Sequence, residues 1–534
     1  MVRFAAAASI LVICLAATGE TVTKYLDTYL DKCKGAWAGQ MIGVCYGDIY
    51  EFRSNGKPIT GPLEPWKPER IHNAIYQDDC YVEMTFLETL EDHGLDITYE
   101  QAGEAFAKSG YKLWHANRAG RDNVRNGIMP PMSGHPSHNR HADDIDFQIE
   151  SDLFGILCPG MPQESNRLCD TFGHIMNYGD GVYGGMFVAG MYAAAYFEST
   201  DVRAVIDSGL ACIPVESEYA KCIRDVLAWH DAAPEDWRSV WQLIEDKWQD
   251  DVDCTPGNPL NIDAKLNGAY IVMGLVYGGG DILKTAEFAT RCGQDTDCNA
   301  SNAVGVLACM KGFRALDSDL TSGIDAIVNT PFDYTRYSFN ELIPACQRVT
   351  EQLVLRAGGQ VSGKEFTIPV QAPKPPKELE QWTGQEEILL VAISPDEIKR
   401  WNPDWRLRAC GSDMDPGLRE EMYGRKQVLA LHPVSRDTPA VIEAELAIPD
   451  TAQSALNINV TSDERGDFVL KVFADNAPIH ESLVSGHGKW ETIAVDVSAF
   501  AGHQSVIRVE VHANDWHWEA AYFDKIIVTD GGTR

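Results

Sequence analysis

Basic residues are scarce in this chain of 534 residues: 45 Lys and Arg stand against 78 Asp and Glu, a formal net charge of −33. Phosphate backbones are held by clustered cations, so a field of this sign excludes a nucleic-acid surface and favours solubility and the attraction of cations. No CxxC pair occurs, which removes the usual spacing of a structural zinc site. After the first twenty residues no apolar run is long enough to span a bilayer, so no membrane partner is expected. A complete set of disulfides is missing too. Of the 14 cysteines, loss of Cys14 with the N-terminal segment leaves an odd number, and Cys212, Cys222 and Cys309 fall in helix-like apolar patterns as small core filling.

What is present divides along the chain. The opening "MVRFAAAASILVICLAATGE" has a basic start, an apolar run of secretory length and small residues before Glu20, which reads as a cleaved signal peptide over 1–19 and a secreted or periplasmic protein. Residues 20–366 alternate helix-periodic segments such as "YVEMTFLETLEDHG" and "NGAYIVMGLVYGG" with polar loops, and are expected to be all-α. The stretch 367–384, with four prolines in "IPVQAPKPPKELEQW", reads as a stiff extended linker. Over 385–534 the period turns to two, in "ALNINVTS", "FVLKVFAD" and "SVIRVEVHAND", which predicts a β-sandwich or jelly roll.

Four stretches of the helical part carry carboxylates beyond what local structure needs. "GAWAGQMIGVCYGDIYEFRSNG" has glycines at 35, 39, 43 and 47, explicable by close helix packing, and then offers Asp48 and Glu51. "IYQDDCYVEMTF" opens a helix with Asp78 and Asp79, and "RCGQDTDCNAS" places Asp295 and Asp297 before another. Helix capping explains one aspartate of each pair; the second stands in like-charge repulsion unless a cation relieves it. Hard ions such as Mg²⁺ and Ca²⁺ want several such oxygens at one point. "RHADDIDFQIESD" sets Asp143, Asp146 and Glu150 on one helical face, expected to be solvated. "MNYGDGVYGGMFVAG" is a glycine-rich loop around Asp180 that lets backbone amides approach an anionic or polyhydroxylated ligand.

The order of these motifs resembles the ADP-ribosylglycohydrolases, over roughly Gly35 to Gly312. The resemblance implies an all-α hydrolase in which Asp78, Asp79, Asp295 and Asp297 bind one or two Mg²⁺ ions, with Ca²⁺ or Mn²⁺ as alternatives. It implies Glu51 and Asp79 as the catalytic carboxylates, and a loop of Asn177, Gly179, Asp180, Gly181 and Tyr183 that cradles the ribose or its phosphates. Two positions depart from the family: Gln77 stands where Thr or Gly is common before the D-D, and Cys298 where Thr follows the D-x-D. A thiol suits softer metals than a hydroxyl does, so one of two ions is expected to be weakly held or absent.

Cleavage of a C1 glycosidic bond passes through an oxocarbenium-like state that needs delivered water and stabilised charge. The sandwich resembles galactose-binding-like modules, and its "HANDWHWEA" offers Trp516 and Trp518 for stacking on a sugar. The substrate is expected to be a small molecule or a glycan. Three functions stay open: a secreted metal-dependent glycosyl hydrolase like the family, a glycoside hydrolase of oligo- or polysaccharides on the same scaffold, and a non-catalytic glycan-binding protein.

Overall fold

The computed structural model describes residues 21–249, 260–380, 393, 395–411, 414, 416–436, 438–514 and 516–530. The proposed signal segment lies outside them.

Glycine spacing organises the helical domain. Helix α1 (Leu26–Gly47) lies against a later helix, Thr296–Lys311, and both are buried along most of their length. A Cβ on Gly43 would stand 2.2 Å from the carbonyl oxygen of Ala300, and one on Gly47 2.3 Å from that of Thr296. No side chain fits in such a gap, so the two backbones touch directly. The hydroxyl of Thr296 then donates to the carbonyl of Gly47 at 2.9 Å. The turn that follows α1 is thereby tied to the start of the later helix.

Between these two helices in sequence come α2 (Asp78–His93), α3 (His115–Arg125) and α4 (Asp180–Ala195); Thr296–Lys311 is α5. A three-stranded antiparallel sheet accompanies the helices: Thr21–Tyr25 pairs with Glu365–Pro369, which pairs with Gln360–Ser362. Phe366 and Ile368 alternate inward onto the helical core. A stretch this short carries too little periodicity to declare itself within an otherwise helical sequence.

The proline-rich stretch differs from a free spacer. Its first residues belong to that sheet, and the chain beyond lies along the helical domain: Gln371 N–H donates to Gly160 O at 2.9 Å, and the Gln163 side chain donates to Ala372 O at 2.9 Å. Prolines keep this strap extended, but hydrogen bonds from the domain surface hold it down.

Beyond the strap, two five-stranded antiparallel sheets form a β-sandwich. One runs Ala477–Val484, Phe468–Ala474, Gln504–His512, Ala440–Ala447, Trp405–Ala409; the other runs Glu491–Asp496, Ala455–Ser462, Ala521–Thr529, Arg425–Leu431, Gly417–Met422. Alternate residues such as Leu456, Ile458 and Val460 face Leu470, Val472 and Val509 in a core separate from the helical one. The loop with the two tryptophans is drawn together by Glu519, which accepts the N–H groups of Asn514, Trp516 and His517. Trp516 packs on His432, and Arg465 lies over Trp518. Among the described residues no helix is long and apolar enough to cross a membrane.

Candidate metal centre

Neither acidic pair caps its helix. The N-cap of α2 is Gln77 and that of α5 is Asp295, and neither side chain makes a capping hydrogen bond; Asp78, Asp79 and Asp297 all stand in first turns. The expectation that capping explains one aspartate of each pair is therefore replaced. Asp79, Asp295 and Asp297 each keep one buried oxygen without a hydrogen-bond partner among the described residues.

The backbone brings them together. Phe52 N–H donates to Gln294 O at 3.0 Å and Gln294 N–H to Ser54 O at 3.2 Å, so the turn carrying Glu51 is laced to the loop carrying Asp295. Glu51, Asp295 and Asp297 offer oxygens all within 4.8 Å of one another, and Asp79, Asp297 and the Cys298 sulfur form a second such group sharing Asp297. Asp78 joins neither group, although its charge is felt by Glu51, Asp79 and Asp297.

Electrostatics show what the cluster lacks. Burial, then the charges of Asp297 and Asp78, push the Glu51 carboxyl up to about 8. Burial raises Asp295 to about 7, against a hydrogen bond with Asp297 and with the charges of Glu51 and Asp79 adding to it. Burial and the same repulsion hold Asp79 and Asp297 well above the carboxylate range. One oxygen each of Asp79, Asp295 and Asp297 is buried with no hydrogen-bond partner among the described residues. Converging hard oxygens, orphaned and mutually repelling, fit a divalent cation; the Cys298 thiol, 3.5 Å from Asp79 Oδ2, is the soft member of the set.

Behind this centre lies a layer the sequence assigned to solvent. Asp146 begins a single helical turn, Asp146–Ile149, and both it and Glu150 are buried. Asn117, in α3, gives its backbone N–H to Asp146 Oδ1 at 3.0 Å and its amide to Glu150. Burial raises Asp146 to about 7 and Glu150 well above its usual range, and Asp78 adds to both. A solvated helical face was expected there; one turn, Asp146–Ile149, followed by another short helix, Asp152–Ile156, buries Asp146 and Glu150 instead. One layer deeper, Asp152 accepts from Gln40 and Tyr192 at 2.7 Å each and from Asn302 at 2.8 Å. Glu83, one turn below Asp79, accepts the Leu153 N–H. The sequence signal for these was a lone carboxylate inside an apolar run, "YVEMTF" and "SDLFGI".

A third group, His115, His141 and Asp144, also converges. Arg140 Nε donates to His141 Nε2 at 3.0 Å, which places the imidazole proton on Nδ1, and Nδ1 lies 2.8 Å from Asp144 Oδ2. Both nitrogens of the His141 ring are thus engaged, and His115 Nδ1 stands 3.6 Å from the same Asp144 oxygen.

The structure does not bring the glycine-rich loop into either carboxylate group. Asn177 is fully buried, accepts Phe147 N–H and donates to the carbonyls of Ala142 and Asp144. Asp180 accepts Tyr219 N–H at 3.0 Å, and burial raises it to about 7, with Lys265 opposing and Asp263 and Asp143 adding. A Cβ on Gly181 would meet Ala142 O at 2.5 Å. Gly179 N–H and the Tyr183 hydroxyl both face the strap, through Glu380. Segment 142–146 links loop and centre, since Ala142 O accepts from Tyr178 N–H while Asp146 feels Asp78.

The helical domain brings acidic residues from just beyond α1 and from the starts of α2 and α5 into one cluster. Residues 26–353 match the ADP-ribosylglycohydrolase family, and the chain belongs to it. A solved structure described as an ADP-ribosylglycohydrolase-related protein complex aligns with 61% of this chain and 99% of its own, at 13% identity and a TM-score of 0.39. Comparison with curated proteins gives no match.

Proposed function

We propose that this protein is a secreted or periplasmic, divalent-metal-dependent hydrolase that cleaves a C1 glycosidic bond. The observation that carries the reading is the convergence of Glu51, Asp295, Asp297 and Asp79 in two groups that share Asp297, with one orphaned, buried oxygen on each of the three aspartates. Asp78, Asp79, Asp295 and Asp297 would hold Mg²⁺, or Ca²⁺ or Mn²⁺ in its place. Bound there, the cation would orient sugar hydroxyls and position or acidify the attacking water.

The chain's own groups supply the rest. Glu51 stands at the solvent-facing edge of the cluster with its carboxyl partly screened from water, and its raised pKa lets it keep a proton near neutrality and hand it to a departing oxygen or nitrogen. Asp79, at the buried end, can take the opposite proton-accepting part as well as binding metal. In this reading the loop of Asn177, Gly179, Asp180, Gly181 and Tyr183 takes the far side of the substrate, and the sandwich targets the enzyme to a glycan.

The test is sugar release from a panel of glycosides and ADP-ribosyl compounds, with metal added and then chelated. Turnover that vanishes with chelator and returns with Mg²⁺ or Mn²⁺ is expected. Glu51→Gln should lower kcat by about a hundredfold or more. Glycan binding with no release under any metal would favour a non-catalytic protein instead.

A further inference from the structure

We propose that His174 and Glu380 form a pH-operated latch on the end of the strap, residues 375–380, closed while the imidazole carries two protons and open once it loses one. The proposal concerns how the strap is held and stands apart from the hydrolase reading.

The strap is fastened in two ways. Upstream, hydrogen bonds between uncharged groups hold it: Gln371 N–H on Gly160 O, the Gln163 side chain on Ala372 O, and the Asn166 side chain on Lys374 O at 3.3 Å. Past Lys374 the fastening changes. Among the described residues, the hydrogen bonds from 375–380 to the helical domain are all made by Glu380. Its Oε1 lies 2.9 Å from His174 Nε2, its Oε2 accepts Gly179 N–H at 2.8 Å, and its own N–H donates to the Tyr183 hydroxyl at 2.7 Å. Leu379 adds apolar packing.

The contacts make the His174 ring a cation. Nδ1 lies 2.7 Å from the Asp170 carbonyl oxygen, which can only accept, and Nε2 faces a carboxylate; a neutral imidazole has one N–H and cannot serve both. His174 is also the C-cap of the helix Pro162–Gly173, where the helix dipole favours positive charge. Burial works against both charges, but the contact outweighs it: His174 ends above its ordinary 6.5 and Glu380 below its ordinary 4.5. Loss of the proton on Nε2 would turn a lone pair towards the carboxylate, and attraction becomes repulsion.

The surrounding groups leave the switch to His174. Tyr99 and Tyr178 present ring edges to it, with centroids 5.9 and 6.0 Å away, and burial raises both phenols, as it does that of Tyr183. Asp170 Oδ1 stands 3.5 Å from Nδ1. His135 packs on Tyr178 at 4.6 Å and is held below its ordinary value by burial and then by His138, so it is uncharged before His174 titrates. The signs follow. His174, raised, contributes fully below 6.5 and loses its contribution as pH climbs through its docked value; Glu380, lowered, contributes above 4.5 and loses it as pH falls. Once open, the strap runs free from Lys374, and each extended residue released adds about 3 Å to the tether of the sandwich that follows in sequence.

Hydrogen exchange of the full-length protein tests the latch, read at the Glu380 amide as protection over the intrinsic rate between pH 5 and pH 9. Protection should fall about tenfold or more as pH rises through the His174 titration, which spectra of ¹³C-labelled histidine locate, while the Gln371 amide keeps its protection throughout. His174→Gln puts an uncharged N–H in the same place and should remove the pH dependence. Glu380→Gln should bring the His174 titration down to 6.5 or lower. Constant protection at Glu380 from pH 6 to pH 9 would overturn the proposal, as would a wild-type His174 that titrates at or below 6.5. Should His174→Gln fail to fold, the wild-type and Glu380→Gln measurements decide.

Discussion

The sulfur of Cys298 lies 3.5 Å from Asp79 Oδ2, inside an otherwise all-carboxylate group. Burial, with the charges of Asp295 and Asp79 next, holds the thiol well above its ordinary pKa, so in the metal-free protein it stays protonated and is a poor ligand for a hard ion. Cys298→Thr replaces it with a hard oxygen of similar size. Mg²⁺ affinity should rise about tenfold while Mn²⁺ affinity changes less. Calorimetry with both metals reads the difference, and equal gains for the two would remove the softness argument.

Asp297 belongs to both carboxylate groups, and no other residue does. Asp297→Asn should therefore abolish tight divalent binding and lower kcat/KM by about a hundredfold or more. The metal-free protein should at the same time melt at a higher temperature, since a buried carboxyl in like-charge repulsion is removed. A variant that binds metal normally, or whose metal-free form melts lower, contradicts the assignment.

Stability should depend on pH in a direction opposite to that of a salt-bridged protein. Asp295 rises from 3.8 to about 7 and Glu51 from 4.5 to about 8 on folding, so between those limits the native state binds more protons than the unfolded chain. Their contribution is full below about pH 4 and is lost as pH climbs towards 8. With chelator, the melting temperature should fall from pH 5 to pH 8. Saturating Mg²⁺ should flatten or reverse that slope, because the cation replaces the protons.

Gly43→Ala should destabilise the helical domain by about 3 kcal/mol, or prevent folding, because its Cβ would press on the Ala300 backbone at 2.2 Å and a helix backbone cannot yield locally. Gly94→Ala is the contrast: nothing lies within 4 Å of its Cβ, and only its φ of 82° opposes the change, so the loss should be smaller. Denaturant melts of the two variants compare packing with backbone strain directly.

The acidic pairs and the glycine spacing were readable because each exceeds what a local element needs. Gly35, Gly39, Gly43 and Gly47 repeat every fourth residue, and the structure uses them for backbone contact with α5. The strands of the sandwich were readable from period-two alternation. Asp146 and Glu150 were misread, because helical periodicity assigns faces only where a helix persists, and this one ends after a turn. Glu380 was invisible for another reason: its partners His174, Gly179 and Tyr183 lie about two hundred residues away, and a proline-rich stretch looks the same whether it is docked or free.

Asp79 and Cys298 meet across 219 positions of chain. Closing so long a loop is slow and brings no local reward, so the cluster cannot exist as a folding nucleus or as a peptide motif. It exists only where the start of α2 meets the start of α5, and the repulsion among its carboxyls comes with that contact. A cation bound there would act as a native-state ligand, raising stability in proportion to the logarithm of its free concentration and doing nothing for the unfolded chain. The lifetime of the folded enzyme would then be set by the ionic composition of its surroundings as much as by its own packing.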